Sequence, residues 1–261
     1  MGDIISIHSF RGGTGKSNIT ANVATYVAMQ GHRVGIVDTD IQSPGIHVLF
    51  GFNEETIDKT LNDYLWGKSD IQDCAYDLSA GAGQEEGRDY LQGLKMFLIP
   101  SSIRAGEITR ILRESYDVGL LTEGFQAAID ELELDYLFVD THPGINEETL
   151  LSIAISNSLI IILRPDQQDF QGTAVTVDVA RKLEVPKLRL VVNKALRKYD
   201  FAQLKERLGE TYDTKVAGVL PLDHEVAGNA SSHVFYGIKP DHEWSTTIAE
   251  IGDDLLNSED D

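Results

Sequence analysis

Hydrophobic positions along the chain switch repeatedly between strand-like runs and helical spacing. Residues 2–9 lead into the apolar run Ile4-Ile5-Ser6-Ile7, which is strand-sized. After a polar, glycine-rich stretch, Ile19, Val23, Val27 and Ala28 recur at helical spacing. They predict a helix over about 16–30, stopped by Gly31 in the C′ position. A short buried strand over 34–37 ends at Asp38, and the polar, Pro- and Gly-containing residues 39–52 read as a loop. A helix is expected over about 56–66. Residues 79–89 are rich in Gly, Ala and acids without periodicity and read as a mobile surface loop. The rest alternates: strand 94–99, helices 103–115 and 119–132, strand 136–139 ending at Asp140, helix 147–156, strand 159–163, helix 172–183, strand 188–192, helix 201–208, strand 216–220 and a last helix over 243–256.

Strands alternating with helices of this length argue for βαβ units. The expected fold class is therefore α/β, a doubly wound, mainly parallel sheet with helices on both faces. No repeat or linker is visible, so residues 1–261 read as a single domain. Sheets of this kind carry their chemistry in loops at the carboxyl ends of the strands. The longest apolar run, Leu159-Ile160-Ile161-Ile162-Leu163, is strand-sized and falls far short of the roughly 18 residues that a membrane helix needs. No secretory signal is visible, and the single cysteine, Cys74, rules out an intrachain disulfide or a multi-cysteine metal site. A cytoplasmic location, away from membranes, is the expectation.

Charge changes the picture of partners. The formal net charge is −20, which argues against global adhesion to nucleic acid or anionic membrane. Residues 181–207, however, hold nine Lys/Arg and three Asp/Glu, a local excess of six positive charges that leaves the rest of the chain at −26. That stretch is either a solvated surface or a patch for non-specific DNA or an acidic partner. Residues 249–261 carry six acids and no base and read as an acidic C-terminal tail.

Four motifs sit at predicted strand ends. The first is Phe10-Arg11-Gly12-Gly13-Thr14-Gly15-Lys16-Ser17, followed by Asn18. It matches the G-x-x-x-x-G-K-S phosphate loop except at its start, where Ser9/Phe10 stand. Glycines let backbone N–H groups turn inward, and the following helix N-terminus completes an anion cradle. Lys16 would reach the β- and γ-phosphates of a nucleotide, and Ser17 would ligate Mg2+. A bare glycine-rich turn is the alternative, but strand before, helix after and the Gly-Lys-Ser ending together disfavour it. The second motif, Val37-Asp38-Thr39-Asp40, delivers two carboxylates to the mouth of the sheet. Phosphoryl transfer needs a metal-facing carboxylate and a water-orienting group; a turn-forming Asp pair is the bland reading. The third, Tyr136-Leu137-Phe138-Val139-Asp140-Thr141-His142-Pro143-Gly144, has the form of Walker B, with Asp140 near Mg2+. Gly144 suits a switch that feels a γ-phosphate through its N–H, and His142 reads as a packing or hydrogen-bonding residue. In the fourth, Asn193-Lys194-Ala195-Leu196, the acidic residue that would read guanine is replaced by Leu196, which favours adenine.

The doubled glycine preceded by a basic residue resembles the deviant Walker A motif of the ParA/MinD family, Lys-Gly-Gly-x-Gly-Lys-Thr/Ser, with Arg11 in place of the signature lysine. The resemblance covers roughly residues 3–230 in motif order and spacing. It implies ATP and Mg2+ as cofactors, with Gly12, Gly13, Thr14, Gly15, Lys16, Ser17 and Asn18 around the phosphates and Asn193 and Pro221 beside the adenine. It implies Ser17, Asp38 and Asp140 at the metal, and Lys16, Asp38, Asp40 and Arg11 in catalysis, Asp40 handling the attacking water. Arg11 would reach the partner's phosphates across an ATP-dependent homodimer, for which arginine is suited by permanent charge and bidentate geometry. The family further implies slow hydrolysis stimulated by an activating or cargo-adaptor protein, in the positioning or partitioning of a cargo. Two other classes stay open: an ATP-dependent ligase or amidotransferase-like enzyme, and a module that holds ATP with negligible turnover. Iron–sulfur carriers of related type need a paired cysteine site, which Cys74 alone cannot supply.

Overall fold

Runs of Ile, Val and Leu without polar alternation make strands that must be covered on both faces, and the architecture follows from that requirement. The computed structural model describes residues 2–79, 87–114 and 116–257. Its elements run β1 (Asp3–His8), α1 (Lys16–Met29), β2 (Val34–Asp38), α2 (Ile46–Leu49), α3 (Leu61–Leu65), β3 (Tyr76–Asp77), β4 (Met96–Ile99), α4 (Ala105–Glu114), α5 (Gly119–Glu131) and β5 (Tyr136–Asp140). There follow α6 (Glu147–Ala154), β6 (Ser158–Leu163), α7 (Gln167–Lys182), β7 (Lys187–Ala195), α8 (Phe201–Tyr212), β8 (Val216–Pro221), α9 (His224–Gly228), α10 (Phe235–Ile238) and α11 (Glu243–Leu256).

The strands form one sheet in the order β3-β4-β2-β5-β1-β6-β7-β8, parallel throughout except where the edge strand β3 pairs antiparallel with β4. Successive residues alternate between two cores. In β6, Ile160 and Ile162 face the core built with α1 and α11, whereas Leu159, Ile161 and Leu163 face the core under α7 and α8. A third cluster under α3 and α5 covers the other half of that second face. This is the doubly wound α/β arrangement expected. β1 lies centrally between β5 and β6, so the loop leaving it opens at the middle of the sheet.

Several expected boundaries move. Residues 39–52 contain the short helix α2, and the helix expected over 56–66 is confined to Leu61–Leu65, where Thr60 and Asp63 form a capping box. Helix α7 starts at Gln167 rather than 172, because Asp166 caps it by accepting from the Gln168 and Asp169 N–H groups. Helix α8 runs on to Tyr212. The loop expected over 79–89 lies for the most part, 80–86, outside the described residues.

The expected last helix is present and takes in most of the acidic stretch. Residues 249–256 form the last turns of α11, docked against α1 and β8. Close approach is set by two glycines: a Cβ on Gly252 would lie 2.2 Å from the Tyr26 ring, and one on Gly218 would lie 2.8 Å from Ile251. Tyr26 donates to Asp253, and Asp254 takes Arg189 at 2.7 Å and Lys215 at 2.6 Å. Lys187 closes the helix end by donating to the carbonyls of Asp254, Leu255 and Asn257. Only 258–261 of the expected tail lie outside the described residues.

Burial by itself raises the Asp254 carboxyl, but hydrogen bonds and charge from Lys215 and Arg189 outweigh it and hold the group below the ordinary aspartate range. Its contribution is therefore full above that range and is lost as pH falls through the lowered value. Arg189→Ala should cost about 2 kcal/mol in urea unfolding at neutral pH, less than a fully buried pair. The difference from wild type should shrink below about pH 4.

Candidate nucleotide site

The loop leaving β1 is shaped for an anion by its backbone. Gly13 and Gly15 sit at φ +79° and +94°, in the left-handed region that side chains resist. Nothing lies within 4 Å of where a Gly13 Cβ would stand, while a Gly15 Cβ would meet Asn193 Nδ2 at 2.5 Å. Gly15 is the N-cap of α1 and supplies no side-chain cap, and the first turn holds no acid. The leading N–H groups of a 14-residue helix are thus aimed at the loop without a side-chain partner. Ser17 and Asn18 occupy that first turn, half-buried, and Asn18 accepts from the Asn22 amide through its carbonyl and its Oδ1. Gly12 and Gly13 are exposed, and Thr14 is buried. Phe10, standing where the phosphate-loop pattern has glycine, packs against α7 so closely that a Cβ on Gly172 would lie 2.1 Å from its ring.

Parallel pairing brings the carboxylates together. Asp38 ends β2 and Asp140 ends β5, in direct register, and both are fully buried. Lys16 Nζ donates to Asp140 Oδ1 at 2.8 Å, and Thr20, one helical turn past Lys16, donates to the same oxygen at 3.1 Å. Asp38 accepts the Asp40 N–H at 3.0 Å and the Gly45 N–H at 3.2 Å. Burial first, then the negative charge of Asp140, push the Asp38 carboxyl well above the usual carboxylate range, against the pull of Lys16. Two adjacent buried carboxylates with a single lysine between them favour a further cation. Asp140 Oδ2 is buried without a hydrogen-bond partner, as is Thr14 Oγ1. Asp38 and Asp140 therefore fit Mg2+, which binds through one or two carboxylates plus substrate phosphates rather than in an all-protein cage; Ser17, in the first turn of α1, is the expected hydroxyl ligand. Among the described residues no group of three or more His, Cys, Asp or Glu is placed to hold a metal by itself.

The base side is built by β7 and β8. An irregularity in their pairing between Val192 and Ala195 turns both intervening residues to the phosphate loop. Asn193 Nδ2 donates to the Thr14 carbonyl at 2.7 Å and its Oδ1 accepts the Lys194 N–H. Lys194, at φ +57°, donates to the Gly13 carbonyl at 2.8 Å. Asn193 thus braces the loop as well as facing the base side. A cavity of 320 Å³ opens beside it, lined by Gly15, Asn18, Asn193, Pro221, Leu222 and Trp244 among others. Its volume, apolar wall and few polar groups suit a heterocyclic base.

Other expected residues have own-chain partners that the sequence did not reveal. Arg11 faces Asp169 at 3.5 Å and Asp166 at 4.0 Å, at the start of α7 of the same chain. The Gly144 N–H, expected to face a phosphate, donates to the Ser9 carbonyl at 3.1 Å. His142 makes a hydrogen bond, as expected, and its partner is Asp40. Within the basic excess of 181–207 only Arg189 is buried and Lys187 half-buried; the other cations stay exposed, several with partners in the chain: Arg181 donates to the Tyr212 and Asp213 carbonyls, Arg197 pairs with Asp223 and Glu243, and Lys205 donates to the Ala217 carbonyl. Thr20 and His8 had no place in the expected site; Thr20 carries a signal, a hydroxyl four residues after Lys16.

A phosphate loop at the central strand, two carboxylates in register and a base cavity beside β7 and β8 define a P-loop nucleotide-binding α/β protein. The family model described as the CobQ/CobB/MinD/ParA nucleotide binding domain matches residues 5–234, and the chain belongs to that family. ATP with Mg2+ is the cofactor pair that this membership implies. An uncharacterized ATP-binding protein of Methanocaldococcus jannaschii is 28% identical over 99% of this chain and 89% of its own length. An iron-sulfur cluster carrier protein of Aquifex aeolicus is 26% identical over 86% of this chain but only 58% of its own length. The septum site-determining protein MinD of Pyrococcus horikoshii, complexed with Mg-ADP, shares the fold with a TM-score of 0.79 at 18% identity, over 98% of this chain and 97% of that one.

His8 ends β1 fully buried, its Nδ1 2.8 Å from Thr141 Oγ1. Burial, with the positive charges of Lys16 and His142, lowers it from 6.5 to about 3. Folded His8 stays neutral while the unfolded chain takes up a proton, so stability should fall as pH drops from 6.5 toward about 3. His8→Gln should remove up to about 1.4 kcal/mol per pH unit from that slope, read by denaturant titrations at stepped pH.

Proposed function

We propose that this protein is an ATP-hydrolysing molecular switch: ATP joins two copies face to face, and hydrolysis separates them while a cargo is positioned. The observation that carries the reading is the meeting of Lys16 with Asp140 beside Asp38, at the end of a glycine-rich loop that leads into an uncapped helix start. Lys16 takes the β- and γ-phosphates, exchanging Asp140 for phosphate oxygens. Ser17, Asp38 and Asp140 hold magnesium, which supplies charge neutralisation at those oxygens. Asp40, on the rim of the site, orients the attacking water. Arg11 leaves the acids at the start of α7 and grips the partner's phosphates, a charge-for-charge exchange that arginine's fork favours.

Two further features shape the reading. The cations of 181–207 are largely tied to carbonyls and carboxylates of the chain, which supports a protein adaptor over DNA as the effector of the dimer. Cys74 is buried and bonded to the Asp70 carbonyl, and burial raises its thiol to about 11, so it is a poor cluster ligand. No helix among the described residues is long and apolar enough to cross a membrane.

Light scattering on size-exclusion fractions tests the switch. Asp40→Ala should run as a monomer alone and as a dimer with ATP and magnesium, and a species indifferent to nucleotide would sink the mechanism. Phosphate release should fall at least about 100-fold in Lys16→Ala, which loses a charge contact to the transferred group. Equal release by wild type, Lys16→Ala and Asp40→Ala would favour an inert ATP-holding module.

A further inference from the structure

His142 and Asp40 come from loops that follow different strands, yet the imidazole Nδ1 and the carboxylate Oδ1 lie 2.6 Å apart. The Ser43 N–H donates to that same oxygen at 3.2 Å. Both contacts thus fall on one side of the Asp40 carboxylate, and among the described residues Oδ2 has no partner within the chain. The histidine is itself held. Its carbonyl accepts Thr149 Oγ1 at 3.3 Å, and the Thr149 N–H is capped by Asn146 Oδ1 at the start of α6. Two residues on, the Gly144 N–H is tied to Ser9, at the beginning of the phosphate loop. The main chain that carries the imidazole is therefore held on two sides, with the His142 side chain 23% exposed against 11% for Asp40.

A free aspartate at a rim rotates about two side-chain bonds, and each rotamer points its oxygens differently. One hydrogen bond from a fixed donor removes most of that freedom, which matters where about 1 Å of misplacement can cost about 100-fold in rate. We infer that His142 is a positioning residue for Asp40, locking the carboxylate so that Oδ2 faces the water to be oriented. The same bond couples the loop after β5, which touches the phosphate loop through Gly144 and Ser9, to the loop after β2, which carries the catalytic group. The geometry of hydrolysis then depends on both loops holding their places together. This inference rests on the reading of Asp40 as the water-orienting group.

The test is a double-mutant cycle with a conservative rescue. His142→Ala should lower kcat for ATP hydrolysis about 10- to 100-fold, with KM and Mg-ADP affinity within about twofold of wild type. His142→Asn, whose amide can donate from nearly the same place, should recover part of the loss. In an Asp40→Ala background the histidine change should add no further loss. In the nucleotide-free protein, a downfield imidazole proton resonance should be present in wild type and absent in Asp40→Ala. Circular dichroism and melting of His142→Asn guard against misfolding. Unchanged kcat in His142→Ala, a loss confined to KM, or a full additional loss in the Asp40→Ala background would each overturn the inference. Wild-type protein without Lys16-dependent phosphate release would instead remove the ATPase reading on which it stands.

Discussion

The site depends on charge held at the end of a parallel sheet. Asp38 and Asp140 are driven side by side by strand register, both fully buried, and Lys16 is bonded to Asp140. Burying two like charges so close is unfavourable unless a cation shares them. The lysine meets part of that need in the free chain, and in the proposed reading magnesium with phosphate would meet the rest. Much of the surrounding geometry serves this arrangement: glycines with positive φ, a helix start without a cap, and the Asn193 and Lys194 braces behind the loop.

Those braces show how the two halves of the site are joined. Asn193 and Lys194 sit where the pairing of β7 with β8 slips, and both reach carbonyls of the phosphate loop. The base cavity and the phosphate cradle therefore share a wall. A base seated against Pro221 and Leu222 would press on residues that also set the curvature of the loop. On the opposite flank Phe10 wedges against Gly172 of α7, and Arg11 rests on the acids at that helix's start. The loop is thus clamped on both flanks while Gly12 and Gly13 stay open to solvent.

Charge counted along the sequence does not show which charges pair across the fold. Residues 181–207 looked like a basic patch and 249–261 like an acidic tail because each was summed alone. In the fold the two meet: Arg189 and Lys187 lie against the last turn of α11, whose Asp254 also takes Lys215. Two of the nine cations, Lys187 and Arg189, are thus engaged with the last helix, while the other seven stay exposed on a chain whose net charge is −20.

By itself the sequence determined the α/β class, the place of each long strand and helix, and the identity of the phosphate loop. These rest on local periodicity and on backbone needs that only certain residue types meet. Lys16, Asp38 and Asp140 were legible because each ends a strand or begins a helix, and such positions are set by local pattern. Helices α2, α9 and α10 and strand β3 were not, being too short to show a period. Only the tertiary structure decided that His142 meets Asp40, that Asn193 braces Thr14 and that Arg11 rests on Asp169. Such pairs join residues more than a hundred positions apart, and no spacing along a chain encodes them; sheet order and register create them.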